Sequence, residues 1–425
     1  MTADTIFALS TGSPPAALAV VRISGPRADS ALEALAGRLP QPRVASLAGL
    51  RWRGDDLDRA LVLRFPAPHS ATGEDVAELH LHGGRAVVAA VLEALAEQPA
   101  LRPAEPGEFT RRAFENGRID LAEAEGLADL LSAETQSQRR AALAMASGAL
   151  SRAVEAWRQR LLALAAQLEA ILDFSDEGEV GENWPKGWVE ELDSLAGEME
   201  VLLARPRAER LRDGLRVVIA GPPNAGKSSL LNVLAQREAA ITSAVPGTTR
   251  DLIEAPTAIG GTPYLLIDTA GFREGAEEIE KIGVERGRAS LATADLILWL
   301  GEPADSPDRD RTILVRSKCD LPGTRSDAGL RVSALTGEGI QQLVAALAER
   351  SRSLLPREGD VAANARHREA VGLASRLLRQ AGAVPDMLIA AEALRQARVE
   401  LDRITGRAGV EDLLDSLFGR FCIGK

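Results

Sequence analysis

The sequence is poor in the groups that build metal and disulfide frameworks. It has two cysteines, Cys319 and Cys422, and four histidines in 425 residues. Two thiols cannot make a disulfide scaffold or a four-thiolate zinc site. His80 and His82 stand at i, i+2 and resemble half a metal site, but only His69 and His367 remain to complete it, so zinc is rejected. Cationic residues are also in deficit, 50 Lys and Arg against 61 Asp and Glu, for a net charge of −11. That balance argues against coating nucleic acid by bulk charge, though it leaves room for a local basic patch. No apolar run is long enough to cross a bilayer; the helix-like stretch 161–172 is cut by Gln167 and Glu169. The opening Met-Thr-Ala-Asp has no basic segment followed by an apolar one, so no secretory signal is expected and the expected compartment is the cytoplasm.

The chain is long enough for two or three domains. Residues 1–118 read as an α+β domain, with strand-like runs at 17–23, 59–65 and 75–82 and a helix-like run at 85–97. In the third run Ala77, Leu79 and Leu81 share one face, and Glu78, His80 and His82 the other. From about residue 119 the period changes. Leu150, Val154, Trp157, Leu161, Leu164, Leu168 and Ile171 step by four and three, the spacing of a packed helical seam. A helix is expected at 188–204, then a linker from Pro206 to Asp213. Helical patterning returns after 355, with Met387, Leu388, Ala391, Leu394, Leu401 and Ile404. The expected organisation is four segments: 1–118, a helical part at 119–213, a nucleotide-binding domain at 214–352, and a second helical part at 353–425 that packs against the first.

The central segment carries the chemistry. The strand-like Leu215–Ala220 runs into Gly221-Pro-Pro-Asn-Ala-Gly-Lys-Ser-Ser229, a phosphate-binding loop in which Lys227 reaches the β- and γ-phosphates and Ser228 ligates magnesium. Asn224, Ala225, Gly226 and Ser229 complete it. Thr248 and Thr249 follow, with Thr249 the expected switch threonine on magnesium. The strand-like Tyr264–Ile267 then delivers Asp268-Thr269-Ala270-Gly271, with the Asp268 carboxylate near the metal and the Gly271 N–H near the γ-phosphate. In this order the motifs specify a Ras-like domain that binds and hydrolyses GTP.

Base reading falls to Ser317-Lys318-Cys319-Asp320, where most such domains have Asn-Lys-x-Asp. Asp320 accepts from the guanine N1 and N2 groups. Ser317 is too short to replace the missing amide, so selectivity is expected to survive with an affinity loss of roughly 0.5–1.5 kcal/mol. Ser333-Ala334 fits the last base-contacting loop. Phe272 stands where Ras-type enzymes have a water-orienting Gln, so hydrolysis needs other groups. Asn224 is a candidate ligand for a monovalent cation. Glu280 is a candidate water-orienting carboxylate, although spacing alone favours a place in the solvated acidic cluster 274–280. The segment 301–311 is short for a crossover between parallel strands, and its helix is expected to be missing or vestigial.

Blocks spread over the chain carry a wider resemblance. They include Asp4-Thr-Ile6, Val21-Arg-Ile-Ser-Gly-Pro26, Thr72-Gly-Glu-Asp-Val76, His82-Gly-Gly84, Pro106-Gly-Glu-Phe-Thr110, Asn116-Gly-Arg-Ile-Asp-Leu121, Glu280-Lys-Ile-Gly-Val-Glu-Arg286 and Cys422-Ile-Gly-Lys425. In these the sequence resembles the tRNA-modification GTPases called MnmE or TrmE. The resemblance implies an N-terminal domain that dimerises and binds a formyl- or methylene-tetrahydrofolate, at positions matching Arg22, Glu78, Arg118 and Lys425. It implies GTP hydrolysis across a potassium ion held by Asn224, Ser243, Val245 and Thr248, with Glu280 orienting water. It also implies a flavin-containing partner of the MnmG (GidA) family and modification of C5 of the wobble uridine in certain tRNAs. Cys422 matches a family cysteine near the folate, and both chemistry and packing stay open for it; a free cysteine without a basic neighbour is more often structural.

Two rivals stand beside this reading. A regulatory binding module, such as a ribosome-assembly GTPase, agrees with Phe272 but lacks the basic RNA-binding domain usual there. A nucleotide-independent folate enzyme with a decaying nucleotide domain would account for Ser317 and the short crossover.

Overall fold

The structure, a computed structural model, describes residues 4–174, 184–237, 254–269, 289–321, 329–357, 360–409, 411–419 and 421–424. By its internal contacts the chain divides into two compact units, 1–128 with 405–425, and 129–404.

The first unit is built on six strands: β1 (Thr5–Leu9), β2 (Leu18–Ser24), β3 (Ser46–Trp52), β4 (Asp55–Phe65), β5 (Val76–His82) and β6 (Leu101–Pro103). They lie in the order β3-β4-β5-β2-β1-β6, antiparallel except for the β1–β6 pair. The period of two seen in β5 decides its two faces. Ala77, Leu79 and Leu81 are fully buried, in a core shared with Leu32 and Leu35 of the helix Ala28–Ala36 and Val91 and Leu95 of the helix Arg85–Ala96. Glu78 stands on the opposite face, directly across from Arg22 of β2 and Leu63 of β4. The strands β1, β3 and β6 and the helices at 28–36 and Glu108–Glu115 are absent from the sequence expectations, because runs of three to nine residues are too short for a period to stand out.

The end of the chain folds with the beginning. Phe418 and Phe421 cluster with Leu121 and Ala124, and the Phe114 and Phe418 rings lie 6.3 Å apart. The Ser10 hydroxyl donates to the Gly424 carbonyl at 2.8 Å. Gly424 has φ +96°, and a Cβ there would meet the Leu9 carbonyl oxygen at 2.1 Å, so only glycine allows this approach.

In the second unit the seam at 150–168 is buried along the helix Ala149–Phe174. The helix Trp188–Ala204 packs beside it, with the Trp188 indole N–H on the Leu164 carbonyl at 3.1 Å. The helices Ala365–Ala383 and Met387–Thr405 join them, the latter through Arg158 and Asp402 at 2.9 Å. Leu394, Leu401 and Ile404 are buried as their spacing predicts, but Leu388 is 65% exposed in the first turn. The expected linker contains the short helix Glu209–Arg212, whose Leu211 is buried.

The same unit holds a second six-stranded sheet: β7 (Leu215–Ala220), β8 (Glu254–Ile259), β9 (Thr262–Asp268), β10 (Leu296–Trp299), β11 (Thr312–Arg316) and β12 (Leu330–Arg331). Its order is β12-β11-β10-β7-β9-β8, parallel apart from the edge hairpin β8–β9. The β10–β11 crossover has only a 3-10 turn at Pro303–Asp305, as its length and prolines predict. Asp308 does the work of a helix there: its carboxylate accepts from the N–H groups of Asp310 and Arg311, and its carbonyl from the Thr312 hydroxyl.

Candidate functional site

Strand β7 ends at Ala220, and the chain turns through residues 221–226 into the helix Lys227–Arg237. Three left-handed residues make the turn: Gly221 at φ +148°, Asn224 at +60° and Gly226 at +89°. At Gly221 space is limiting as well, since a Cβ would lie 3.0–3.2 Å from Leu300. This geometry lets successive backbone N–H groups turn toward one centre, the arrangement that cradles phosphate at a helix start. Lys227 is buried, and its ammonium lies over the loop, donating to the Gly221 and Pro222 carbonyls at 3.2 and 2.9 Å. Ala225 and Gly226 are half-buried, while Ser228 and Ser229 are exposed at the helix start.

The Ser228 hydroxyl donates to the carboxylate of Asp268, which is buried at the end of β9. A hydroxyl and a carboxylate in contact are the hard oxygen ligands that magnesium takes. Among the described residues no group of three His, Cys, Asp or Glu could hold a metal by itself. The donor set therefore fits an ion that nucleotide oxygens and water would also ligate. Thr269 is turned inward, its hydroxyl and N–H both on the Ile219 carbonyl at 3.0 and 3.3 Å.

The base-reading residues lie beside this loop. The Ser317 hydroxyl donates to the Ala225 carbonyl, and the Lys318 ammonium to the Asn224 carbonyl at 2.8 Å. Lys318 takes φ +58° to do so. The Cys319 N–H meets the Val332 carbonyl at 3.2 Å, which brings the segment Ser333–Ala334 alongside. Asp320 is exposed next to it, and Ser333 is buried, receiving the Thr336 N–H on its hydroxyl at 3.1 Å. Burial pushes the Cys319 thiol up, so it stays protonated near neutral pH. The ties from Ser317 and Lys318 to the phosphate loop are invisible to motif spacing; a small hydroxyl at an Asn position was their only sequence signal. Ser243, Val245, Thr248, Thr249, Ala270, Gly271, Glu280 and Lys425 lie outside the described residues.

The first unit presents an open cleft of about 640 Å³ on the face of its sheet that carries Glu78, lined among others by Arg43, Phe65, His69, Val76, Glu78 and Arg118. That size lies within the roughly 300–1,000 Å³ of small-molecule sites. Glu78 is half-buried and paired: Arg22 donates to it through Nε at 3.1 Å and a terminal nitrogen at 2.9 Å, and His80 Nε2 stands 3.3 Å away. Arg22 also lies over the Phe109 ring at 5.8 Å. Glu78 and Arg118 are thus brought to one cleft, with Arg22 held to it through Glu78. Cys422 is exposed near the chain end. An apolar wall beside a carboxylate and two guanidinium groups fits a flat, anionic, hydrogen-bonding ligand such as a folate.

The same unit contains a charge network that no sequence pattern announces. Arg112, nearly fully buried, contacts Asp4, Glu74 and Glu108 at 3.0–3.1 Å, and Arg102 reaches Glu108 and Asp4. Burial pushes the Glu108 carboxyl up, but Arg102, the Glu105 N–H and Arg112 outweigh it and hold it below the usual carboxylate range.

Comparison with known proteins matches two families along the chain. Residues 5–118 match the family described as GTP-binding protein TrmE N-terminus, and residues 121–422 match the MnmE helical domain. The tRNA modification GTPase MnmE of Erythrobacter litoralis (strain HTCC2594) is 57% identical over 424 residues, 99% of this chain and 100% of that protein. The protein of the same name from Novosphingobium aromaticivorans is 56% identical over 435 residues, with 99% and 100% covered. Among solved structures, the G domain of the T. maritima FeoB iron transporter matches 32% of this chain and 98% of its own at 21% identity, with a TM-score of 0.25.

Proposed function

The chain belongs to the MnmE (TrmE) family of tRNA modification GTPases, and from that membership we propose that it hydrolyses GTP to drive folate-dependent modification of C5 of the wobble uridine in certain tRNAs. The observation that carries the reading is the joined constellation of Lys227, the Ser228–Asp268 pair and the base-reading loop tied to residues 224 and 225. Relatives that match along the whole chain support it.

In this mechanism Lys227 leaves the loop carbonyls for the β- and γ-phosphate oxygens. Ser228 and Thr249 would hold magnesium, with the Asp268 carboxylate beside them. Magnesium supplies charge neutralisation on the phosphates. Lys318 stays against the loop, Asp320 accepts from the guanine edge, and the Ser333–Ala334 backbone meets the base. Glu280 would orient water, and Asn224, Ser243, Val245 and Thr248 would hold a potassium ion in a homodimer of this chain. Glu78, Arg118, Arg22 and Lys425 hold a formyl- or methylene-tetrahydrofolate. A flavoprotein of the MnmG family is the proposed partner and the cytoplasm the proposed compartment. Among the described residues no helix is long and apolar enough to cross a membrane.

The test is GTP hydrolysis at matched ionic strength in potassium and in sodium chloride, for the natural protein and Glu280→Ala. Potassium stimulation that collapses in the variant is expected. Equal slow rates in both salts would reject the cation-and-glutamate mechanism. Failure of the gene to restore the tRNA modification in a deletion strain would reject the wider function.

A further inference from the structure

Arginines of the first unit commonly end on a carboxylate. Arg22 meets Glu78, Arg64 meets Asp29, and Arg102 and Arg112 share Asp4 and Glu108. Arg43 and Arg118 have no carboxylate partner among the described residues, and both line the same cleft. Among the described residues the one carboxylate lining that cleft is Glu78, and it is already neutralised by Arg22. The cleft therefore holds surplus positive charge in a protein of net charge −11.

Arg43 is held in place. Its guanidinium donates to the His69 carbonyl and lies 5.6 Å from the centre of the Phe65 ring. Its backbone takes φ +62°, and its N–H is bonded to the Arg64 carbonyl at 2.8 Å. A non-glycine residue in a left-handed conformation, pinned to a strand end and stacked on an aromatic ring, is built to present its charge at one place. A guanidinium fixed in this way suits planar, two-point recognition of a carboxylate.

We propose that Arg43, with Arg118, binds the glutamate carboxylates of the folate and makes the cleft selective for the tailed ligand, while Glu78 faces the donors of the ring. This rests on the folate reading and deepens it: Arg22 becomes the positioning partner of Glu78, and the tail is read by a residue outside the family-matched set.

The experiment is equilibrium binding of 5-formyltetrahydrofolate and of 5-formyl-6-methyltetrahydropterin, the ring without the aminobenzoyl-glutamate tail and its carboxylates, to the full chain and to Arg43→Ala and Arg43→Lys. Thermal melting confirms that each variant is folded, and Arg43→Gln replaces any that is not. Arg43→Ala is expected to lose about 10- to 100-fold on the tailed ligand and nothing on the tail-less one. Arg43→Lys, which keeps charge without the planar fork, should fall between. Equal losses on both ligands, or no loss on either, would overturn the assignment. A natural protein that binds both ligands equally rejects the tail site but leaves the folate reading standing; one that binds neither rejects the folate reading itself.

Discussion

The hydroxyl of Ser317 donates to the carbonyl of Ala225, so the base-reading loop is tied to the phosphate-binding loop by the residue that departs from the usual motif. By its place in the motif, Ser317 is a base contact too short to serve. In the fold its side chain is directed at the other loop. Lys318 makes the parallel tie to the Asn224 carbonyl. Both bonds hold the loop that carries Asp320 against the phosphate-binding loop.

Ser317→Ala removes one neutral hydrogen bond between the loops. Its expected cost is about 0.5–1.5 kcal/mol, a GDP affinity weakened roughly 2- to 10-fold. Guanine over adenine selectivity should not change, because Asp320 is untouched. Titration with a fluorescent guanine nucleotide, competed by ADP, measures both quantities.

Asp320 is exposed at the base-reading position, where it can accept from two guanine donors. Asp320→Asn presents one donor and one acceptor, and matches xanthine better. GDP affinity should fall on the order of 100-fold while XDP affinity rises. Unchanged GDP binding in this variant would place the base elsewhere.

Arg112 is enclosed by Asp4, Glu74 and Glu108, and removing it takes the arginine partner from half-buried Glu74 and leaves Asp4 and Glu108 to Arg102 alone. Arg112→Leu is expected to destabilise the first unit by about 3–5 kcal/mol, read as a lowered melting transition.

The same network sets an acid limit. The folded pKa of Glu108 lies below its ordinary value of 4.5, and that of Asp4 below 3.8. Burial raises each, while arginine partners, Arg102 foremost, lower each further. Depressed carboxyl pKa values contribute stability that is complete above the unfolded values and lost as pH falls through the folded ones. The first unit should therefore melt at lower temperature below about pH 4, with little change between pH 5 and 8. Melting curves across that range check the sign.

Gly424 approaches Leu9 closely in a left-handed conformation that a side chain would obstruct. Gly424→Val should release the tail that carries Cys422 and Lys425, weakening folate binding while GTP binding stays as it was. Titrating one variant with both ligands separates the outcomes, and equal folate affinity would exclude the tail from the site.

Much of the nucleotide domain is legible in the residues because its signals are local. A glycine-rich turn between an apolar strand and a helix, or an Asp at a strand end, is specified within about ten neighbours, and the geometry at 221–228 and 268 agrees. The buried stripe at 150–168 and the two faces of β5 are equally local, since a period of four and three or of two survives any tertiary arrangement. The short crossover follows from chain length and two prolines.

Other features depend on residues far apart in the chain. Arg22 and Glu78 are 56 positions apart and meet because β2 and β5 pair in that register. Arg43 reaches the cleft because its loop is pinned to the end of β4. The Ser317 bond joins residues 92 apart. The last twenty-one residues belong with the first 128, held by Phe418, Phe421 and the Gly424–Ser10 contact. Sequence pattern determines which face of an element is apolar and which short motif can bind phosphate. Tertiary structure alone decides which polar side chains face one another, because that depends on strand register and the closing of long loops.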